Sequence, residues 1–116
     1  MATTSGKHSA PHYTWGDNCD SWILADTAGL SVKQESMPPG TKEQLHFHKQ
    51  AQQYFFILKG LATFHTDGDT DTIGAGTGIL IEAGTKHFIA NDTRHELEFL
   101  VISQPNTTND RENVSL

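Results

Sequence analysis

Apolar residues along the chain either alternate with polar residues or occur in short runs. No stretch of ten or more residues repeats them at the helical spacing of 3.6. Nine segments have a strand pattern, and turn-forming pairs such as Lys59-Gly60 and Asp67-Gly68 separate them. The predicted strands are Trp22–Ala25, Leu30–Met37, Gln44–His48, Gln53–Leu58, Leu61–His65, Thr70–Ile73, Gly78–Ile81, His87–Asn91 and Leu97–Ser103. Short, evenly spaced strands are typical of a β-sandwich or β-barrel, so we predict an all-β fold.

Two of the predicted strands are apolar on both faces. They contain "YFFIL" at 54–58 and "GILI" at 78–81, whereas a strand with one face in water should alternate. One face can fill the interior of a barrel, and the other then needs a second sheet or a second subunit. We therefore predict a homodimer. The bulky side chains expected nearest to its contact are Trp15, Trp22, Tyr54 and Phe56.

The two ends of the chain are polar and have no periodic pattern. Each is expected to be a flexible arm or a segment that is ordered only by packing on something else. The predicted organisation is an N-terminal arm over residues 1–20, one barrel domain over 21–104 and a C-terminal tail over 105–116.

Composition limits the partners. The 116 residues fit one domain, and 14 acidic against 8 basic residues give a formal net charge of −6, with no cluster of Lys and Arg. The charge therefore argues against nucleic acids and anionic membranes as partners. The longest apolar stretch, Tyr54 to Leu58, is far below the roughly 20 residues of a membrane span. The N-terminus has no hydrophobic signal core, so a cytoplasmic location is expected.

Two histidines, His46 and His48, stand one residue apart just before the aromatic strand. In an extended chain their side chains point to the same side, so they could bind one metal ion together. His87 has a comparable setting, three residues after a turn at Gly84 and at the start of a predicted strand. A barrel could bring His87 opposite the first pair.

The spacing of these residues resembles that of the cupin family. The first cupin motif is a glycine, five residues, His-x-His, three or four residues, a glutamate, six residues and a glycine. The chain matches it at Gly40, His46, His48 and Gly60, and has Gln53 at the glutamate position. The second motif is a glycine, five residues, a proline, one residue, a glycine, two residues, a histidine, three residues and an asparagine. It is matched at Gly76, Gly84, His87 and Asn91, and Glu82 replaces the proline.

The resemblance implies a cupin-type jelly-roll β-barrel, also called a double-stranded β-helix. It also implies one divalent metal ion per chain in the mouth of the barrel, which could be Fe, Mn, Ni or Zn. The implied ligands are His46, His48, His87 and Gln53. The expected partner is a small-molecule ligand, and the side chains expected to line its pocket are Phe55, Ile57 and Phe99.

Gln53 departs from the family pattern, and the departure affects the expected chemistry. A glutamate would leave three neutral imidazoles and a divalent ion with a charge near +1, whereas glutamine leaves it near +2. Such a site should favour an anion, bind metal less tightly and donate electrons to dioxygen less readily. Polarisation of a bound carboxylate, enol or keto group is less affected by the replacement of glutamate with glutamine. Alternatively, Gln53 is an ordinary amide that lines the core and does not bind the metal.

The sequence leaves several functions open. The first is a metal-binding cupin that binds a small polar or anionic metabolite, with Lewis-acid chemistry of the isomerase or lyase type. The alternatives are an Fe(II)-type dioxygenase and a non-catalytic ligand-binding module. The sequence reveals no acid–base pair besides the metal ligands, as expected for a binding module, and it does not decide whether the protein is an enzyme.

Overall fold

Two antiparallel β-sheets enclose the core in the computed structural model, which describes residues 1–115. The strands are β1 (His12–Trp15), β2 (Cys19–Asp26), β3 (Ser31–Met37), β4 (His46–Phe47), β5 (Gln52–Lys59), β6 (Leu61–Thr66), β7 (Asp69–Gly74), β8 (Gly78–Ile81), β9 (His87–Ala90), β10 (Leu97–Gln104) and β11 (Glu112–Asn113). All nine predicted strands are present, and most of their ends differ by one to three residues. The all-β prediction is confirmed.

The strand order explains how distant segments meet. One sheet has the order β1-β2-β3-β10-β5-β8, and the other has the order β11-β4-β9-β6-β7. In the first sheet β10 lies between β3 and β5, so that Val101 is opposite both Lys33 and Phe55. In the second sheet β9 lies between β4 and β6. The strands that carry His46 and His87 therefore belong to the second sheet, whereas Gln53 belongs to the first.

The apolar face of each sheet turns toward the other sheet. On β5 the side chains of Phe55 and Ile57 are buried, two residues apart as the strand period requires. They share the core with Phe64 of β6, Ile89 of β9 and Phe99 of β10. The rings of Phe55 and Phe64 join the two sheets, with centroids 5.1 Å apart. Burial of each such side chain stabilises the fold by about 1.5–3 kcal/mol.

Gly60 makes the tight connection between β5 and β6 possible. Its φ of +89° lies in the region that L-residues rarely adopt, and a Cβ there would be 2.6 Å from the carbonyl oxygen of Glu96. Only glycine fits both demands.

Both ends of the chain pack against the chain's own sheets. At the N-terminal side β1 pairs with β2, and Lys7 forms a 2.8 Å ion pair with Glu98. The Lys7 ammonium also lies 4.4 Å from the ring centroid of Trp22. At the C-terminal side β11 pairs with β4. Of the two sequence-based alternatives, ordering by packing therefore applies to both ends.

Three of the four bulky residues expected near a dimer contact, Tyr54, Phe56 and Trp22, lie on the outer face of the first sheet, whereas Trp15 packs against the core. Tyr54 and Leu80 are 38% and 55% exposed, whereas Phe56 and Trp22 are only partly exposed. The homodimer stays a prediction. Within residues 1–115 no helix is long and apolar enough to cross a membrane.

Candidate metal centre

Three buried histidines converge at one end of the cavity between the sheets. His46 of β4 and His87 of β9 are direct cross-strand neighbours, and His48 follows β4 by one residue. Their exposed fractions are 1%, 1% and 4%. One donor nitrogen from each lies within 4.8 Å of the other two. The strand period and the antiparallel pairing together place three imidazoles on one side of the second sheet.

A turn at Gly84, in the second cupin motif, contacts the His46–His48 segment of the first motif. Gly84 has a φ of +83°, and its N–H donates a 2.7 Å hydrogen bond to the carbonyl of His48. This bond ties the loop before β9 to the segment after β4. His87 is therefore held beside the His-x-His pair by backbone as well as by strand pairing.

Backbone carbonyls determine which imidazole nitrogen carries the proton. The Nδ1 atom of each histidine lies within hydrogen-bond distance of a carbonyl oxygen, which can only accept. For His46, His48 and His87 these oxygens belong to Gln44, Asp110 and Thr85, at 2.7, 2.5 and 2.8 Å respectively. Each Nδ1 therefore donates, and the lone pair of each neutral ring is on Nε2. This is the tautomer that a metal ligand needs.

The inward-facing nitrogen atoms fit a cation. The buried Nε2 of His48 has no hydrogen-bond partner among residues 1–115. The Nε2 of His87 lies 3.1 Å from Oε1 of Gln53, so two acceptor atoms face each other in this arrangement. An unsatisfied buried polar atom costs about 1–3 kcal/mol. A divalent metal bound by these atoms removes both mismatches, so the donor set fits the metal that the sequence resemblance implies.

Burial keeps the three imidazoles neutral. It lowers the pKa of His46 from 6.5 to about 3 and that of His87 to about 4, against the opposing hydrogen bonds to Gln44 and Thr85. Burial lowers the pKa of His48 as well. At neutral pH the cluster is therefore in the deprotonated form that binds metal.

Gln53 is held in a defined orientation beside the histidines. It is buried on β5, opposite Ser103 of β10, and its Nε2 donates a 3.0 Å hydrogen bond to the Ser103 hydroxyl. This bond leaves Oε1 of Gln53 facing His87. The four ligands that the sequence resemblance implies, those of His46, His48, His87 and Gln53, thus lie close together. They come from both sheets.

An open cavity of about 450 Å³ extends from His46 and His48 to the surface. Phe55 lines this cavity, as the sequence analysis expects. Ile57 and Phe99 are fully buried in the core instead and do not line it within the described chain. The two residues face each other across the β5–β10 pair, two positions beyond Phe55, where the core closes.

The cavity also contains ionisable residues that sequence reasoning missed, among them Glu35, Glu43 and Arg111. The Glu43 Oε2 atom lies 4.0 Å from Nε2 of His46 and 3.8 Å from Nη1 of Arg111. Burial raises the pKa of Glu43 to about 7, although the Arg111 charge opposes the shift. Burial also raises the pKa of Glu35. The sequence reveals no such groups, because Glu35, Glu43 and Arg111 enter the cavity from a strand, a loop and the C-terminal segment without a recognisable spacing.

The C-terminal strap, defined here as residues 106–115, crosses the mouth of the barrel beside His48. Its Asp110 carboxylate accepts hydrogen bonds of 2.7–3.1 Å from three consecutive N–H groups, those of Lys49, Gln50 and Ala51. The Asp110 carbonyl holds the His48 ring. The next residue, Arg111, lines the cavity. One turn of the strap therefore positions a candidate ligand and brings a positive charge to the site.

Comparison with known proteins agrees with this geometry. The model of the Cupin domain family matches residues 34–103, more than half of the chain. An oxalate-binding protein of Thermotoga maritima is 35% identical over 66 residues, which cover 57% of this chain. The match spans 54% of that relative, so the chain corresponds to about half of its length.

Solved structures resemble the fold. An RmlC-like cupin from Shewanella frigidimarina superposes with a TM-score of 0.83 at 15% identity, over 94% of this chain and 96% of the other. A Klebsiella pneumoniae protein with a double-stranded β-helix domain gives a TM-score of 0.75 at 18% identity, over 83% and 84% of the two chains. The predicted double-stranded β-helix is confirmed.

Proposed function

Because this chain belongs to the cupin family, we propose that it binds one divalent metal ion through His46, His48 and His87 and takes a small carboxylate as its ligand. The observation that carries this proposal is the shared tautomer of the three buried rings. Each Nδ1 donates to a carbonyl, so all three Nε2 lone pairs are available on one side of the sheet. Gln53 is the fourth donor, through Oε1.

Charge favours an anionic ligand. Three neutral imidazoles and one amide oxygen do not offset the charge of a divalent ion. The charged side chains along the cavity are Lys33, Lys42, Arg111, Glu35 and Glu43, which add a formal charge of about +1 when all are ionised. The name of the 35% identical relative, an oxalate-binding protein, supports the same ligand class.

Isomerase- or lyase-type chemistry on a carboxylate is the reaction that we propose. A bound divalent ion would supply Lewis-acid polarisation of a carboxylate or keto oxygen. Gln53 is held by Ser103 and orients its oxygen toward the histidines. Phe55 forms an apolar wall of the cavity. Glu43, with a pKa near 7, can hold or release a proton at Oε2.

A non-catalytic carboxylate-binding module is the second candidate. It is supported by the Thermotoga maritima relative, whose name describes oxalate binding and does not mention a reaction. An Fe(II)-type dioxygenase is the third candidate. Gln53 gives the metal no negative charge, so electron donation to dioxygen would depend on another carboxylate of the cavity.

Calorimetric titration with oxalate tests the carboxylate proposal. Protein loaded with Mn²⁺ or Ni²⁺ should bind oxalate at one site per chain, and protein stripped with EDTA should not. The His46→Ala/His48→Ala variant should behave as the stripped protein, and His95→Ala, which removes an exposed histidine, should behave as wild type. Equal oxalate binding by loaded and stripped protein would contradict the proposal.

Proton exchange separates the two candidates. The loaded protein is incubated with pyruvate in D₂O, and the methyl signal is followed by NMR. Metal-dependent loss of that signal, above the rate of the free metal ion, indicates enolisation and therefore catalysis. Oxalate binding without exchange supports the binding module for this substrate class.

A further inference from the structure

We propose that Glu43 is the carboxylate partner of the metal site and supplies the negative charge that Gln53 lacks. This inference rests on the proposed metal site, and it assigns a role to a residue that neither cupin motif specifies. Glu43 precedes His46 by three residues, whereas the motif glutamate follows the His-x-His pair.

The position of Glu43 supports this role. Its Oε2 atom lies 4.0 Å from Nε2 of His46, beside the cluster that the three histidine donors form within 4.8 Å of one another. The carboxylate is thus next to one of the three donors, close enough for its charge to act on a cation bound by them. Carboxylates are ordinary ligands of divalent metals alongside imidazoles.

Backbone holds the carboxylate in this orientation. The Oε1 atom of Glu43 accepts a 3.2 Å hydrogen bond from the N–H of Ile89, two residues beyond His87 on β9. The Glu43 N–H donates in turn to the carbonyl of Ile89 at 3.0 Å. These two bonds fix the residue against the strand that carries His87, so Oε2 is the oxygen that faces His46.

Arg111 is the competing partner of Glu43, and it lies near the outer limit of ion-pair distance. Its Nη1 atom lies 3.8 Å from Oε2, beyond hydrogen-bond distance, and its side chain is 43% exposed. Water screens a charge at such a position. The Arg111 Nε donates to the strap's own Asn113 at 3.1 Å. The carboxylate therefore remains available to a cation bound by the histidines.

The test uses Glu43→Gln, which removes the charge and retains an oxygen that can accept from Ile89. Zn²⁺ affinity is measured by competition with a chelating dye, and the stability of the metal-free protein is measured by urea unfolding. We expect the variant to bind Zn²⁺ about 10- to 100-fold more weakly, as is typical when a partner of a metal site is lost. Its metal-free form should be at least as stable as wild type, because the buried charge is removed.

The second variant moves the negative charge from position 43 to position 53, where the first cupin motif has its glutamate. Glu43→Gln/Gln53→Glu should restore Zn²⁺ affinity to within about tenfold of wild type, since it returns one carboxylate to the same cavity. Glu35→Gln is the matched control, because it removes a second carboxylate, a buried one, from the cavity wall.

The outcomes distinguish this inference from the proposed function. Wild-type protein that does not bind Zn²⁺ contradicts the metal site itself. Wild-type binding with unchanged affinity in Glu43→Gln overturns only the role of Glu43. An equal loss in Glu35→Gln also overturns it, because the effect would then come from the general field of the cavity.

Discussion

Single backbone contacts decide the chemical state of the site. A histidine in water is protonated on either nitrogen and titrates near 6.5, whereas His46 and His87 are buried and each donates to a carbonyl within two residues of itself. His48 uses a carbonyl that lies 62 residues away, on the strap. The cluster thus has neutral rings with their Nε2 atoms directed inward, before any metal is bound.

The metal-free protein should lose stability as the pH falls from about 6.5 toward 4. The unfolded chain takes up protons on its histidines near pH 6.5, whereas folded His46 and His87 do so only near 3 and 4. Each lowered pKa therefore favours unfolding by about 1.4 kcal/mol per pH unit in that window. The raised pKa of Glu43 has the opposite effect and favours the folded state as the pH falls from about 7 to 4.5. The raised pKa of Glu35 also favours the folded state as the pH falls.

The pKa values of His46 and His87 lie below this window and that of Glu43 lies above it, which leaves one histidine in excess. The lowered pKa of His48 and the raised pKa of Glu35 act in opposite senses. Urea unfolding in EDTA should therefore give a free energy of unfolding that falls by about 1.4 kcal/mol per pH unit between pH 6 and 5. Glu43→Gln removes one opposing group and should fall more steeply. A stability that is constant or rises over that interval would contradict the assigned pKa shifts.

At the level of elements, the strands and the metal motif are readable from sequence, whereas the strap is not. The apolar pattern predicts β5 and β8 because each of these strands buries one face. The spacing of glycines and histidines identifies the two cupin motifs. The strap is polar, and its role depends on Asp110 meeting residues about 60 positions earlier. No local pattern encodes such a contact. For the same reason Arg111 could not be assigned to the cavity from sequence. Glu43 is close to His46 in sequence, but its orientation depends on Ile89, 46 positions later.

Asp110→Ala should weaken metal binding through the strap. The change removes the acceptor of three N–H groups, those of Lys49, Gln50 and Ala51, and each lost bond costs about 0.5–1.5 kcal/mol. The His48 ring then loses the fixed position of its carbonyl partner. We expect lower stability and about 10-fold weaker Zn²⁺ binding. Asp92→Ala, at an exposed position outside the strap, is the control and should change neither quantity.

For the whole molecule, the proposed metal site would join the two sheets of the barrel. His46 and His87 belong to the second sheet, and Gln53 to the first. A ligand that binds only the folded state stabilises it by mass action, so bound metal should hold the sheets together at the mouth. The apolar core holds them together at the other end. Function and stability thus share the same residues.

Metal content per chain tests the central claim most directly. Protein is expressed without a histidine tag, loaded with Zn²⁺, freed of excess metal by gel filtration and analysed by elemental mass spectrometry. The account predicts one Zn²⁺ per chain for wild type and for His95→Ala, and essentially none for His46→Ala/His48→Ala. A double variant that folds and retains one Zn²⁺ per chain would contradict the assignment of the site.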